Sequence, residues 1–111
     1  GVHKGESIRY FSEKLINKNN SFIGFDSFEG LPEVYNHGSL SKGHFSTNGE
    51  IPNIDDVRVK FIKGFFNEKK NEIQNELKKS INTKLVHFDA DIYSSTLFLL
   101  FQLDNYTPYY A

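Results

Sequence analysis

The sequence predicts an α/β protein in which parallel strands alternate with helices. Short apolar runs that end at acidic or glycine residues alternate with amphipathic segments at helical spacing. Strand–helix–strand order favours parallel strands that are joined by right-handed crossovers. With 11 Phe and 6 Tyr in 111 residues, the chain has enough large apolar side chains for a core, and we expect a single domain over residues 1–111.

The first half of the chain is predicted to hold a helix, a strand and a long loop. Apolar residues at helical spacing follow Glu6, namely Ile8, Phe11, Leu15 and Ile16. Residues 21–26 form a short apolar run before a turn, which is typical of a buried strand. Residues 27–52 are rich in glycine and proline, so we expect a long irregular segment of the kind that is usually functional or mobile.

The second half is predicted to begin with a strand, a helix and a further strand. Residues 57–62 alternate and are β-branched, which favours a strand. Residues 67–80 have the pattern of an amphipathic surface helix, with apolar positions at Ile73, Leu77 and Ile81. Residues 84–88 are predicted to be the third strand.

The last predicted helix covers residues 95–103 and is apolar on nearly all sides. We therefore expect this helix to be buried. Three hydroxyl residues are predicted N-caps, because a side-chain oxygen there can accept a backbone N–H of the first turn: Ser94, Ser95 and Thr96.

Composition and charge narrow the class of function. The sequence contains no Cys, which excludes disulfides, Cys-ligated zinc and thiol catalysis. The net charge is −1, so neither nucleic acid nor an anionic membrane is an expected partner. No apolar run reaches the roughly 20 residues that cross a bilayer, and no secretory pattern opens the chain. We expect a cytoplasmic protein and leave open whether it forms a homo-oligomer.

A glycine turn and an acidic strand end form the first candidate site. Gly1 and Gly5 bound a turn before the first helix, where the backbone can approach a ligand and the helix N-terminus favours an anion. Roughly 20 residues later, Asp26 follows an apolar strand at a position where a carboxylate can accept hydrogen bonds from ribose hydroxyls. The alternatives are an ordinary turn and a solvated aspartate.

Two later strand ends carry further candidates. Gly64 and Phe65 follow the second strand and could line an adenine slot, although Phe65 is equally consistent with a core position. Asp89 and Asp91 follow the third strand. Carboxylates are typical Mg²⁺ ligands, and one of them could take a proton from a substrate hydroxyl. The alternative is that Asp91 caps the next helix and that backbone amides satisfy Asp89.

His44 is the remaining candidate. It lies in the irregular segment within Gly43-His44-Phe45-Ser46, where it could approach a substrate. The alternative is an ordinary surface histidine. None of the four histidines shows metal-ligand spacing with another.

In this order, the motifs resemble the macrocin O-methyltransferase family of class I S-adenosylmethionine-dependent methyltransferases. Five stretches carry the resemblance, namely GVHKGES (1–7), GFDSFEGLPE (24–33), KGHFS (42–46), VKFIKGFF (59–66) and VHFDADIYSST (86–96). The second and fifth stretches are distinctive for that family. The resemblance implies a partial Rossmann-like sheet of parallel strands with flanking helices. It also implies methyl transfer to a sugar hydroxyl of a glycan or secondary metabolite.

The resemblance further implies roles for particular residues. The methionine end of S-adenosylmethionine would meet Gly1, Gly5 and Ser7. The ribose would be held by Asp26, with Ser27 and Phe28 beside it. The adenine would lie near Gly64 and Phe65. Asp89 and Asp91 would lie at a Mg²⁺ site, with Asp89 also the candidate base. The loop that holds His44 would cover the acceptor.

The sequence lacks parts of the family pattern. A first strand that ends in an acidic residue should precede Gly1, and a strand that ends in an acidic pair should follow Ala111. We therefore expect a fragment truncated at both ends and inactive by itself. Because the first strand would lie at the centre of the sheet, we also expect the fragment to be marginally stable.

Two rival interpretations stay open. Asp89-Ala90-Asp91 matches the D-x-D motif of metal-dependent glycosyltransferases, in which two Asp bind Mn²⁺ and a nucleotide-sugar diphosphate. That interpretation explains the glycine turn and Asp26 less well. The other is a degenerate, non-catalytic domain that binds nothing.

Overall fold

The computed structural model describes residues 1–32, 40–79 and 83–104, and the backbone of residues 109–110. Its elements in chain order are α1 (Glu6–Lys14), β1 (Phe22–Asp26), β2 (Val59–Lys63), a 3-10 helix (Phe66–Glu68), α2 (Lys70–Lys79), β3 (Leu85–Val86), α3 (Tyr93–Leu103) and β4 (Tyr109–Tyr110). The predicted α/β class with parallel strands is confirmed, since β1 pairs with β2 and β3 pairs with β4, both in parallel. The chain divides into unit 1 (Gly1–Gly64) and unit 2 (Phe65–Ala111). A single domain stays a prediction.

The parallel pair of unit 1 sets the position of the candidate site. The register runs from Phe22 opposite Val59 to Asp26 opposite Lys63, so both carboxyl ends lie at the same edge. The side chains of Val2 and Phe61 occupy the space beside Gly24, where an added Cβ would lie 2.7 and 2.8 Å from them. A glycine is therefore required in the middle of β1.

The core of unit 1 is built around the turn that follows β1. Phe28 is 1% exposed and meets Phe61 edge-on, with the ring centroids 6.1 Å apart. Leu31 is also buried. Full burial of a side chain of this size stabilises a fold by roughly 1.5–3 kcal/mol.

Arg58 joins the end of α1 to the start of β2. Its guanidinium forms a bidentate pair with Asp56, at 3.1 and 2.7 Å. The remaining N–H groups donate to the backbone carbonyls of Ser12, Leu15 and Asn17. All five donors of the guanidinium are thereby used. Because these carbonyls lie in and just beyond the last turn of α1, Arg58 acts as a C-terminal cap supplied from a distant part of the chain.

Unit 2 has a small apolar core. Ile73 on α2, Ile92 before α3 and Leu103 at the end of α3 are buried. The Gln74 side chain donates to the Gln102 carbonyl at 3.0 Å and so links α2 to α3. The predicted amphipathic pattern of α2 is confirmed by the burial of Ile73, whereas the predicted positions 80 and 81 lie outside the described residues.

The strand predictions were right in place but too long. Residues 57 and 58 form a turn, in which the Val59 amide donates to the Asp56 carbonyl at 3.0 Å. Val57 is therefore fully exposed, and β2 begins two residues later than predicted. The third strand is reduced from residues 84–88 to Leu85–Val86, which matches the two residues of its partner β4.

Three helix predictions were wrong in detail. The N-cap of α3 is Ile92, which is extended and buried and forms no side-chain cap; the predicted cap hydroxyls lie inside the helix. The expected burial of α3 was also wrong: among the described residues it packs against α2 and the 3-10 helix, but Tyr93 and Phe101 are 79% and 73% exposed. The helix α1 ends at Lys14, so the predicted apolar positions Leu15 and Ile16 lie beyond it.

Candidate functional site

The glycine turn lies directly against the carboxylate at the end of β1. The backbone amides of Val2 and His3 donate to Oδ2 of Asp26, at 2.6 and 2.8 Å. Oδ1 accepts the Phe28 amide at 2.9 Å. The Gly64 amide donates to the Asp26 backbone carbonyl at 2.9 Å, since β1 and β2 are parallel. Three of the predicted motifs therefore meet at one strand end.

These amides stabilise the charged form of Asp26. Burial alone would raise the pKa of the carboxyl, because desolvation disfavours the charge. The hydrogen bonds from His3, Phe28 and Val2, together with the positive charge of the chain's amino terminus, outweigh burial and hold the pKa of Asp26 below its ordinary value of 3.8. A carboxylate has about four acceptor positions. The three bonds from the described residues thus leave one position, on Oδ1.

Ser27 and Phe28 stabilise the turn after β1. Oγ of Ser27 accepts the Glu29 amide at 3.1 Å and donates to the Gly30 carbonyl at 3.4 Å. Both Ser27 and Phe28 are buried, and Phe28 has a left-handed φ of 60°. Phe28 reaches the strand end through its amide, while its ring packs in the core.

The loop that carries His44 is fastened onto this turn. The Leu31 amide donates to the His44 carbonyl at 2.9 Å, and the Gly43 amide donates to the Leu31 carbonyl at 2.8 Å. Gly30 makes the approach feasible, because an added Cβ would lie 2.3 Å from the His44 carbonyl oxygen. Its φ of 83° is also one that glycine adopts without strain.

The Phe28 carbonyl is a second anchor for the loop. It accepts the amides of Thr47 and Gly49, at 3.1 and 2.8 Å. The Ser46 hydroxyl lies 3.5 Å from the same oxygen. At the end of β2, Lys63 donates from Nζ to the Gly49 carbonyl at 2.8 Å. The described part of the irregular segment is thus tied to the ends of both strands.

Phe45 brings the loop into contact with the glycine turn. Its ring meets the rings of His3 and His44 edge-on, with centroids 5.8 and 4.3 Å away. Phe45 is 42% exposed. His3 and Phe45 both have left-handed φ values, 55° and 65°, which disfavour non-glycine residues by roughly 1–2 kcal/mol each. Two strained residues therefore face each other where the predicted cofactor turn meets the predicted acceptor loop.

The residues predicted for the methionine end lie around the start of α1. Gly5 is buried and is the N-cap of α1, with a φ of 84°. Its amide donates to the Val2 carbonyl at 3.0 Å. Gly1 and Ser7 are exposed on either side of this turn. The amides of the first helical turn have no carbonyl partner within the helix, which suits an anionic group.

Phe65, Asp89 and Asp91 belong to unit 2. Phe65 is half-buried and precedes the 3-10 helix. Asp89 and Asp91 are exposed in the connection between β3 and α3, and Asp91 has a left-handed φ of 60°. The N-cap position of α3 belongs to Ile92 rather than to Asp91.

The described residues do not complete a metal site. Within residues 1–32, 40–79 and 83–104, no group of three or more His, Asp or Glu side chains could hold a metal ion. Asp89 and Asp91 offer carboxylates of suitable chemistry, but Mg²⁺ requires a nearly octahedral shell of oxygens.

Sequence reasoning missed His3 and Arg58. His3 joins the site through its amide on Asp26 and its ring on Phe45. Nothing in the local sequence marks it, because both contacts are made to distant residues. Arg58 had a weak signal, since Asp56 and Arg58 two residues apart in a turn can form an ion pair.

No protein-family model, curated protein or solved structure matches this chain. The resemblance to the macrocin O-methyltransferase family therefore stays a prediction. Among the helices in the described ranges, none is long and apolar enough to span a membrane.

Proposed function

We propose that this chain is part of an S-adenosylmethionine-dependent O-methyltransferase that acts in the cytoplasm on a sugar hydroxyl of a glycan or secondary metabolite. The proposal includes the finer architecture, a partial Rossmann-like sheet. Two parallel strand pairs, with α2 and α3 as the intervening helices along the chain, support that architecture.

One observation carries the proposal: the glycine turn and the Asp26 carboxylate are in direct contact. Sequence spacing suggested that these motifs serve one ligand, and the two amide bonds to Oδ2 support this interpretation. The Gly64 amide on the Asp26 carbonyl adds a third predicted position at the same strand end. A nucleoside at this edge would meet all three.

The geometry refines the expected role of Asp26. With Oδ2 engaged by Val2 and His3, a ribose hydroxyl would donate to the remaining position on Oδ1. A second ribose hydroxyl would have to displace one of these amides. We therefore expect one strong hydrogen bond to the ribose from Asp26 rather than a symmetrical pair.

The chemistry that the proposal requires is simple. When bound, S-adenosylmethionine supplies an activated methyl group. Gly5 and Asp26 would hold the cofactor, and a base of the chain would take the proton that the acceptor hydroxyl loses on methylation. Asp89 is the proposed base and His44 is the second candidate. Most of the rate enhancement would come from positioning the two reactants.

Thermal shift with S-adenosylhomocysteine tests the cofactor proposal, because a ligand that binds only the folded state raises Tm. We expect a rise for the wild-type chain and for Asp55→Asn, an exposed aspartate outside the site. We expect a much smaller rise for Asp26→Asn. Each shift is measured against the ligand-free Tm of the same variant, which separates binding from intrinsic stability.

Other outcomes of the titration identify the rivals. Stabilisation by UDP with Mn²⁺, and none by S-adenosylhomocysteine, would favour the glycosyltransferase interpretation. No shift with any of these ligands would favour a non-catalytic domain.

The proposed role of Asp89 is tested by the turnover of the full-length protein. We expect Asp89→Asn to lower kcat by about 10²–10⁴-fold, the range typical of a general base. Binding of S-adenosylhomocysteine should persist in this variant. Undiminished turnover would remove Asp89 from the mechanism.

A further inference from the structure

Asn48 and Gly49 form the one Asn-Gly dipeptide in the sequence, and Asn48 is exposed. In such a dipeptide the glycine nitrogen can attack the side-chain carbon of the asparagine, since glycine has no Cβ to hinder the approach. We propose that Asn48 is a site of spontaneous deamidation, and that the hydrogen bond from Gly49 to Phe28 sets its rate. This proposal is independent of the methyltransferase assignment.

The dipeptide occupies the centre of a tight turn. The Glu50 amide donates to the Thr47 carbonyl at 3.0 Å, and Asn48 and Gly49 have φ values of 56° and 77°. Positive φ at both central positions is the type I′ turn for which Asn-Gly is the preferred sequence. Ring closure requires the Asn48 backbone to leave this conformation.

The attacking nitrogen is engaged in the folded chain. The Gly49 amide donates to the carbonyl of Phe28 at 2.8 Å, and Phe28 is 1% exposed. Lys63 holds the other side of the same residue through the Gly49 carbonyl at 2.8 Å. The nitrogen therefore reaches Asn48 only after the turn has detached from Phe28.

The reaction proceeds in two balanced steps. First, the Gly49 nitrogen bonds to Cγ of Asn48 and the Cγ–Nδ2 bond breaks. The proton of the Gly49 amide joins the departing Nδ2 amino group, which leaves as ammonia. Second, water opens the cyclic imide at either carbonyl and gives aspartate or isoaspartate at position 48. No oxidant, reductant or other co-reactant is needed.

The reaction removes the contact that restrains it. The imide nitrogen carries no hydrogen and cannot donate to Phe28. Opening to isoaspartate restores the N–H but adds one main-chain carbon to the turn, which changes its length and register. In the isoaspartate product, the loop that carries His44 and Phe45 then loses the Gly49 amide bond to the Phe28 carbonyl.

Peptide mapping by mass spectrometry tests the proposal on the whole chain. Samples are incubated at mildly alkaline pH in buffer and in concentrated urea, and aspartate and isoaspartate at position 48 are quantified. We expect conversion in buffer to be roughly fivefold slower than in urea, about the factor that one net hydrogen bond supplies. Asn53, which precedes the bulky Ile54, is the internal control and should convert slowly in both.

A variant of Lys63 separates the protection of Asn48 by the hydrogen bonds of Gly49 from the intrinsic reactivity of the dipeptide. Lys63→Ala leaves the dipeptide intact but removes the bond to the Gly49 carbonyl, so conversion in buffer should rise by roughly twofold. In urea its rate should equal that of the wild type. Lys18→Ala, an exposed lysine after α1, should match the wild type in both.

Four results would overturn the proposal. An unreactive Asn48 in urea would remove the site. Equal rates in buffer and urea, or a Lys63→Ala rate equal to the wild type in buffer, would remove the role of the hydrogen bonds. Hydrogen exchange supplies the fourth, since the Gly49 amide should lose protection in the isoaspartate product; unchanged exchange would contradict release of the turn from Phe28.

Discussion

Different kinds of internal contact stabilise unit 1 and unit 2. In unit 1, three polar groups form several hydrogen bonds each with distant segments. The Asp26 carboxylate and the Phe28 carbonyl accept backbone amides, and the Arg58 guanidinium donates to backbone carbonyls. In unit 2 a few buried apolar side chains carry the packing, and much of α3 is exposed. The comparison teaches that hydrogen bonds at strand ends can order a long loop. By contrast, an apolar helix such as α3, which packs against few neighbouring side chains, leaves apolar residues in contact with solvent.

The sharpest way to break unit 1 is Gly30→Ala. The new Cβ would meet the carbonyl oxygens of Gly43 and His44 at 2.4 and 2.3 Å, and its φ would stay at 83°. Strain and overpacking together predict a loss of about 4 kcal/mol in the free energy of unfolding. Urea denaturation measures this loss.

Gly43→Ala is the matched control for that substitution. Gly43 has a φ of 84°, almost the same as Gly30, but its nearest contact is the Glu29 carbonyl oxygen at 3.9 Å. Only the backbone strain applies, so the expected loss is about 1–2 kcal/mol. Equal losses for the two variants would show that the close approach of the loop to Gly30 is unimportant.

The corresponding test in unit 2 is Leu103→Ala. Leu103 is 4% exposed, and removal of a buried leucine side chain typically destabilises a protein by about 3 kcal/mol. The substitution should also make the unfolding of unit 2 less cooperative, which circular dichroism measures. A loss below about 1 kcal/mol would show that α3 is not packed at this end.

Asp26→Asn is expected to have an intermediate effect, about 2 kcal/mol at neutral pH, because an amide replaces a charge that three backbone N–H groups stabilise. The pKa of Asp26 is lower in the folded chain than its ordinary value of 3.8, so its contribution is fully present above that value. The contribution is lost as the pH falls through the lower folded pKa.

The urea midpoint as a function of pH therefore checks this assignment. The wild type and Asp55→Asn should lose more stability than Asp26→Asn as the pH falls below the ordinary value for aspartate. Parallel acid profiles for all three proteins would contradict the proposed role of the amide bonds.

The smallest effect is expected on the exposed side of α3. Phe101 is 73% exposed, so Phe101→Ser should change the free energy of unfolding by less than about 0.5 kcal/mol. The substitution should also reduce self-association, which light scattering measures, because exposed aromatic side chains favour it. A large loss of stability would show that Phe101 is covered in solution.

The sequence was informative where one pattern controlled the outcome. The start of α1 at Glu6, the strand that ends at Asp26 and the buried Ile73 of α2 followed from apolar spacing and turn residues. The separation of roughly 20 residues between the glycine turn and Asp26 predicted one shared candidate site, although their direct hydrogen bonds were not predicted.

Features that depend on distant partners could not be predicted. The late start of β2 reflects the turn around Asp56 and Arg58, and the N-cap at Ile92 reflects its burial. Likewise, the ring of Phe45 reaches His3 only because the Phe28 carbonyl fixes the loop. Periodicity describes neighbours in sequence and is silent about such contacts.

The position of Arg58 has a consequence for the order of folding. The carbonyls that it caps lie 41 to 46 residues earlier in the chain. During synthesis, the C-terminal end of α1 would stay frayed until Arg58, just before β2, has left the ribosome. Closure of so long a loop is entropically slow, so docking of the helix end should belong to a late kinetic phase rather than to the initial collapse.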